Sequence, residues 1–139
     1  TLNRDKTRVV QLGAAYVSLD FLGFTLRYLR DRFGRRRCYL AVGPSAKALE
    51  RIRGKVRMLT RSGYKGSLAE LVAELNQLLS DWAPYYRYGY PRQAFRAVNY
   101  HVHQRCARFL RHRSQRRQRP FRDGESVYAG LQRYGLRYL

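Results

Sequence analysis

Side chains that could break or make bonds are sparse and scattered in this chain. The nine carboxylates are Asp5, Asp20, Asp31, Glu50, Glu70, Glu74, Asp81, Asp123 and Glu125. None forms the Asp-Asp, Asp-x-Asp or Glu-x-x-His spacing that metal-assisted or general acid–base chemistry draws on. Glu70 and Glu74 lie one helical turn apart, but Glu70 is already accounted for by a capping role described below. No glycine-rich phosphate loop with Lys-Ser/Thr is present. His101 and His103 are two residues apart, which sends them to different sides of a helix. Cys106 could share a side with His103, but two ligands do not make a zinc site. The expectation is a chain that performs no catalysis alone, holds no metal, and uses its histidines as polar side chains and Cys106 in the core.

Two other constellations carry more information. Tyr85-Tyr86-Arg87-Tyr88-Gly89-Tyr90-Pro91-Arg92 interleaves tyrosine with arginine, a pattern suited to stacking on unpaired bases and lying along sugars. Tyr85 and Tyr86 could equally close a core, whereas Tyr88 and Tyr90 are the better candidates for exposure. The run Arg111-His112-Arg113-Ser114-Gln115-Arg116-Arg117-Gln118-Arg119 is the strongest local signal for phosphate contact, and as a solvated tail it would be ordinary.

The whole composition points the same way. In 139 residues there are 29 Lys and Arg against 9 Asp and Glu, a net charge of +20, and only Lys6, Lys47, Lys55 and Lys65 are not arginine among the cations. Such self-repulsion disfavours compaction, so a polyanionic partner is its simplest reason: nucleic acid, and not an anionic membrane surface, since no helix here pairs a broad Trp/Phe face with lysines. GC-rich coding would explain arginine over lysine but not the shortage of acids. Arginine also suits phosphate, because its planar fork donates parallel hydrogen bonds. At 45% hydrophobic residues the chain should fold around a core, and it holds no apolar run long enough for a transmembrane span. The start, Thr1-Leu2-Asn3-Arg4, has no initiator Met and no signal region, which suggests a piece of a longer protein. Two cysteines, Cys38 and Cys106, give no disulfide framework.

The elements that would position these groups can be read in order. Leu19 to Tyr28 reads as a strand, Asp31 to Arg35 as a turn and Cys38 to Val42 as a return strand, a hairpin that needs support from elsewhere. Gly43-Pro44 breaks the pattern. Ser45 then caps a helix whose buried stripe is Leu49, Ile52, Val56 and Leu59, leaving Lys47, Arg51, Arg57 and Arg61 on the outside. Ser67-Leu68-Ala69-Glu70 is a capping box that opens a second helix along Leu68, Leu71, Val72, Leu75, Leu78, Leu79 and Trp82, which Pro84 ends or kinks. A third helix starts near Pro91, with Phe95, Val98, Val102, Cys106 and Phe109 inward and Arg96, Tyr100, Gln104, Arg108 and Arg111 outward. Ser126 to Leu139 is mildly apolar and reads as a docking element. The fold class expected is α+β, mainly α: residues 1–43 an N-terminal β-hairpin region, residues 44–139 a three-helix bundle with a basic C-terminal segment and a short terminal element.

Several stretches together resemble a known family. Leu2-Asn3-Arg4-Asp5-Lys6-Thr7 followed by Leu19-Asp20-Phe21-Leu22-Gly23-Phe24 is similar to the end of the palm in group II intron reverse transcriptases, where such a hairpin forms the primer grip. Leu75-Asn76 through Trp82-Ala83-Pro84-Tyr85-Tyr86-Arg87 resembles the maturase-specific signature (domain X, the thumb), and Arg111 to Arg117 the basic stretch that closes the third thumb helix. Asp81 stands where the family often has Gly, and Ser114-Gln115 where more cations are usual. The metal-binding Tyr-Ala-Asp-Asp motif of that family does not occur in this sequence.

The resemblance implies a thumb that clamps an RNA template with its DNA primer and binds intron RNA to assist splicing, in a bacterial cytoplasmic ribonucleoprotein of a mobile element. The polymerase as a whole would need Mg2+, while this chain would need no cofactor. RNA contacts are expected from Lys47, Arg51, Arg57, Arg61, Arg87, Tyr88, Arg96, Tyr100, Arg108, Arg111, Arg113, Arg116, Arg117 and Arg119, and primer-grip contacts from Phe21, Leu22, Gly23 and Phe24. The competing reading is an unrelated basic RNA- or DNA-binding module of ribosomal or helix-turn-helix type.

Overall fold

The fold is seen in a computed structural model, which describes residues 9–12, 17–31, 37–113 and 124–139. Three antiparallel strands, β1 (Ser18–Phe21), β2 (Phe24–Arg30) and β3 (Cys38–Pro44), lie in the order β1-β2-β3. They are followed by α1 (Ala46–Leu59), α2 (Leu68–Tyr86), α3 (Arg92–Arg113) and α4 (Val127–Arg133). The architecture is thus α+β and mainly α.

The single strand expected over 19–28 is in fact two. Leu22 (φ 48°) and Gly23 (φ 82°) both take left-handed backbone, and Phe21 pairs with Phe24 across them. Two consecutive positive φ values make the two-residue mirror-image turn whose twist matches that of its flanking strands. Gly23 fits such a turn without a Cβ penalty, and Leu22 is the unusual member. The sheet is therefore a three-stranded meander, which is sturdier than the two-stranded hairpin. The turn expected over Asp31 to Arg35 lies mostly outside the described residues; at its border Asp31 N donates to Arg37 O at 2.9 Å.

The helices begin where local chemistry tells them to. Ser45 Oγ accepts from Ala48 N at the start of α1. Ser67 and Glu70 form the reciprocal capping box of α2, each side chain bonded to the other's backbone N–H. The Phe95 N–H donates to Pro91 O at the start of α3. Pro84 falls inside the last turn of α2, which ends two residues later at Tyr86. Inward faces meet in one core of Ile52, Val56, Leu71, Val72, Leu75, Leu79, Val98, Val102, Cys106 and Phe109, to which the C-terminal element adds Leu131 and Leu136. Burial in this apolar setting pushes the Cys106 thiol up to about 12, so it packs as a small neutral hydrophobe.

The C-terminal element is fastened by two asparagines. Asn76 of α2 donates to Gly135 O and accepts from Arg137 N, both at 2.8 Å. Asn99 of α3 donates to Leu139 O at 2.9 Å and accepts from Leu139 N at 3.0 Å. Each amide both donates to and accepts from the C-terminal backbone. Asn76→Ala removes two such bonds at an exposed site where water can replace them, so the expected loss is about 1 kcal/mol, read from the urea midpoint at unchanged m-value.

The sheet sits against the C-terminal end of α2. The Phe24 ring lies 5.4 Å from Tyr85 and 5.2 Å from Tyr86, and Tyr86 lies 4.6 Å from Trp82. Tyr85 Oη donates to Leu22 O, Ser45 N to Gly23 O, and Tyr90 N to Val42 O. Tyr85 and Tyr86 are therefore fasteners between sheet and bundle, and neither belongs to the bundle core that the sequence offered as an alternative.

Candidate nucleic-acid interface

The outward face of α3 is as its spacing predicts. Arg96, Tyr100, Gln104, Arg108 and Arg111 are all exposed. At 100° per residue they fall within a sector of roughly 120° around the helix axis. On α1 the exposed Lys47 and Arg51 share a side with Lys55, a cation that the four-residue spacing 47, 51, 55 could have singled out. Arg61 is exposed just past that helix. Among the described residues, none accepts a hydrogen bond or pairs with Lys47, Arg51, Arg61, Arg96, Arg108 or Arg111. Their guanidinium and ammonium groups are solvated, which is the state from which a phosphate can recruit them at least desolvation cost.

Other cations already have work inside the chain. Arg57, a third of a turn or so away from the Arg51 side, is ion-paired with Glu50, and that guanidinium holds the Glu50 carboxyl below its usual range. Arg113 donates to Gly66 O at 2.7 Å and lies over the Phe109 ring, bracing the loop between α1 and α2. Arg105, which sequence reasoning passed over, is half-buried and donates to both Thr60 Oγ1 and Thr60 O, satisfying the C-terminal end of α1. Arg87 lies over the Tyr88 ring at 5.5 Å, and Tyr88 is itself exposed. Arg116, Arg117 and Arg119 lie outside the described residues.

The primer-grip-like residues divide in two. Phe21 and Leu22 are exposed at the tip of the β1–β2 turn, while Gly23 and Phe24 are tucked against α2. A Cβ at position 23 would stand 2.7 Å from Tyr86 Oη and displace that hydroxyl, and the φ of +82° there strains any other residue.

His101 and His103 separate as expected. Burial lowers the pKa of His101, and the neighbouring Arg53, Arg57 and Arg105 oppose a further positive charge. The His103 ring lies 6.3 Å from Tyr128 of α4. Among the described residues, no three His, Cys, Asp or Glu side chains gather in a way that could hold a metal ion. No helix among them is long and apolar enough to cross a membrane.

Comparison with known families gives a match between residues 49–124 and the group II intron, maturase-specific domain. No curated protein matches the chain. The matched span takes in most of α1, the capping box and stripe of α2, all of α3 and the basic sequence that follows it, and α1 and α3 carry the cationic faces. Because that span is more than half of the chain and coincides with the helical bundle, the chain belongs to the group II intron maturase-specific domain family.

Proposed function

We propose that this chain is the RNA-binding, thumb-like part of a group II intron reverse transcriptase and maturase. It grips folded intron RNA during splicing and a template–primer duplex during copying, and leaves bond-making to the polymerase active site of the parent protein. The observation that carries this reading is the set of six exposed cations on α1, the turn after it and α3, none with a side-chain partner among the described residues, in a chain of net charge +20. Lys47, Arg51, Arg61, Arg96, Arg108 and Arg111 neutralise phosphates and release counterions; Tyr88 and Tyr100, both exposed, lie against bases or sugars. Arg113 and Arg57 are secondary, since each must give up or share an internal partner. Residues up to 43 act as the end of the palm, with Phe21 and Leu22 presented toward the primer.

Binding to an intron RNA fragment, a generic hairpin RNA and duplex DNA, measured across a salt series, tests this. For about six phosphate contacts, log affinity falls against log salt with a slope of about −4 to −5. The intron RNA is expected to bind tightest. Equal affinity for all three ligands overturns the maturase reading, and a slope near zero overturns its electrostatic basis.

A further inference from the structure

We propose that Tyr39 of β3 and Tyr90 of the α2–α3 corner form a stacking site for one unpaired nucleobase, with Arg27 and Arg37 set beside it for the flanking phosphates. This rests on the RNA-binding reading above and adds a place where single-stranded nucleotides are told from duplex.

The two rings come from segments far apart in sequence, and only the fold brings them together. Their centroids are 5.2 Å apart at an interplanar angle of 60°, an edge-to-face pair. Such a pair uses one face of one ring and leaves the others open to a third plane. Both rings are exposed, Tyr90 at 62% and Tyr39 at 39%, so the pair is a surface feature and not a piece of core.

Exposed as it is, Tyr90 is held in place by its backbone. Its N–H donates to Val42 O at 2.8 Å on β3, the terminal strand of the sheet. Gly89 has φ +77°, and any Cβ there would run into the Val42 carbonyl. Pro91 then restricts the chain on the other side. A ring positioned before its ligand arrives loses little further freedom on binding.

The surroundings select a nucleobase over an apolar peptide. Residues 37–44 and 84–92 contain no carboxylate, and Asp20, on the same sheet face through its pairing with Thr25, accepts from the Thr25 hydroxyl. The register pairs Arg27 with Ala41 and Leu29 with Tyr39, so Arg27 shares the sheet face of Tyr39, and it is exposed. Arg37, also exposed, precedes Tyr39 by two residues. Phenol rings bordered by guanidinium groups suit a flat heterocycle joined to phosphate.

The test uses the full chain and a short single-stranded oligoribonucleotide carrying 2-aminopurine, alone and annealed to its complement. Stacking quenches the probe, so binding of the single strand is expected to quench it. Tyr90→Phe keeps the quench. Tyr90→Leu, apolar but not aromatic, loses it together with roughly tenfold in single-strand affinity, equivalent to about 1.4 kcal/mol and inside the range of about 1–3 kcal/mol for one stacked base. Tyr39→Leu behaves likewise, and for both variants duplex affinity and salt slope stay at wild-type values. The site is overturned if the wild-type chain binds the strand without quenching, if Tyr90→Leu and Tyr39→Leu match wild type, or if they weaken duplex equally. Wild-type protein that binds no RNA in any form overturns instead the broader reading on which the site rests.

Discussion

Replacing Arg96, Arg108 and Arg111 together with alanine weakens binding to structured RNA by at least a hundredfold at 0.1 M salt. Each phosphate neutralised is worth about 0.7–0.9 in the slope of log affinity against log salt. Three lost contacts thus flatten the slope by about 2–3, and between 1 M and 0.1 M salt they remove about as many decades of affinity. The fold should not notice. All three side chains are exposed and have no internal partner among the described residues, so unfolding free energy stays within about 0.5 kcal/mol of wild type. Removing three like charges from a +20 chain can even relieve self-repulsion. Arg105→Ala supplies the contrast: it strips two hydrogen bonds from Thr60 at the end of α1 and lowers stability while leaving the salt slope in place. A triple variant with the wild-type slope would move the RNA surface off α3.

That contrast also marks how far the sequence could be read. Caps were legible because they are local: Ser45 and Ser67 each act on an N–H three residues away. Stripes were legible because an apolar face repeats every three or four residues, and every position named for the inward face of α3 is at least half-buried. What failed to show was whatever depends on partners distant along the chain. A helical wheel puts Arg105 on the flank of the inward stripe and Arg113 in line with it, but only the fold reveals that their acceptors are the Thr60 and Gly66 carbonyls, 45 and 47 residues back. The same holds for Asn76 and Asn99, whose bonds reach Gly135, Arg137 and Leu139. The break in the first strand was hidden for another reason. Leu22 takes a backbone conformation that leucine rarely adopts, and the Asn-Gly or Asp-Gly signature of such a turn is missing.

Leu75→Ala has the largest expected effect on stability. Leu75 is fully buried in the middle of α2, surrounded by a core drawn from α1, α3 and α4, so the vacated space cannot be refilled by one neighbour. Truncations of this kind cost about 2–5 kcal/mol, a substantial part of the roughly 5–15 kcal/mol that holds a domain together. Urea unfolding followed by far-UV circular dichroism should show the midpoint falling steeply with unchanged m-value. Trp82→Ala removes more atoms yet should cost less, about 2 kcal/mol, because Trp82 is only half-buried and touches Tyr86 at 4.6 Å and Phe95 at 5.7 Å on its covered side. Its damage falls in a different place. Tyr86 is the ring on which Phe24 rests, so loss of the indole loosens the attachment of the sheet while the Leu75 core stays closed. Hydrogen exchange separates the two cases: Leu75→Ala raises exchange throughout α1, α2 and α3, whereas Trp82→Ala raises it first in β1 to β3. Equal acceleration of sheet and helices in Trp82→Ala would mean that the two parts open as a single cooperative unit and that the aromatic joint is not the weaker seam.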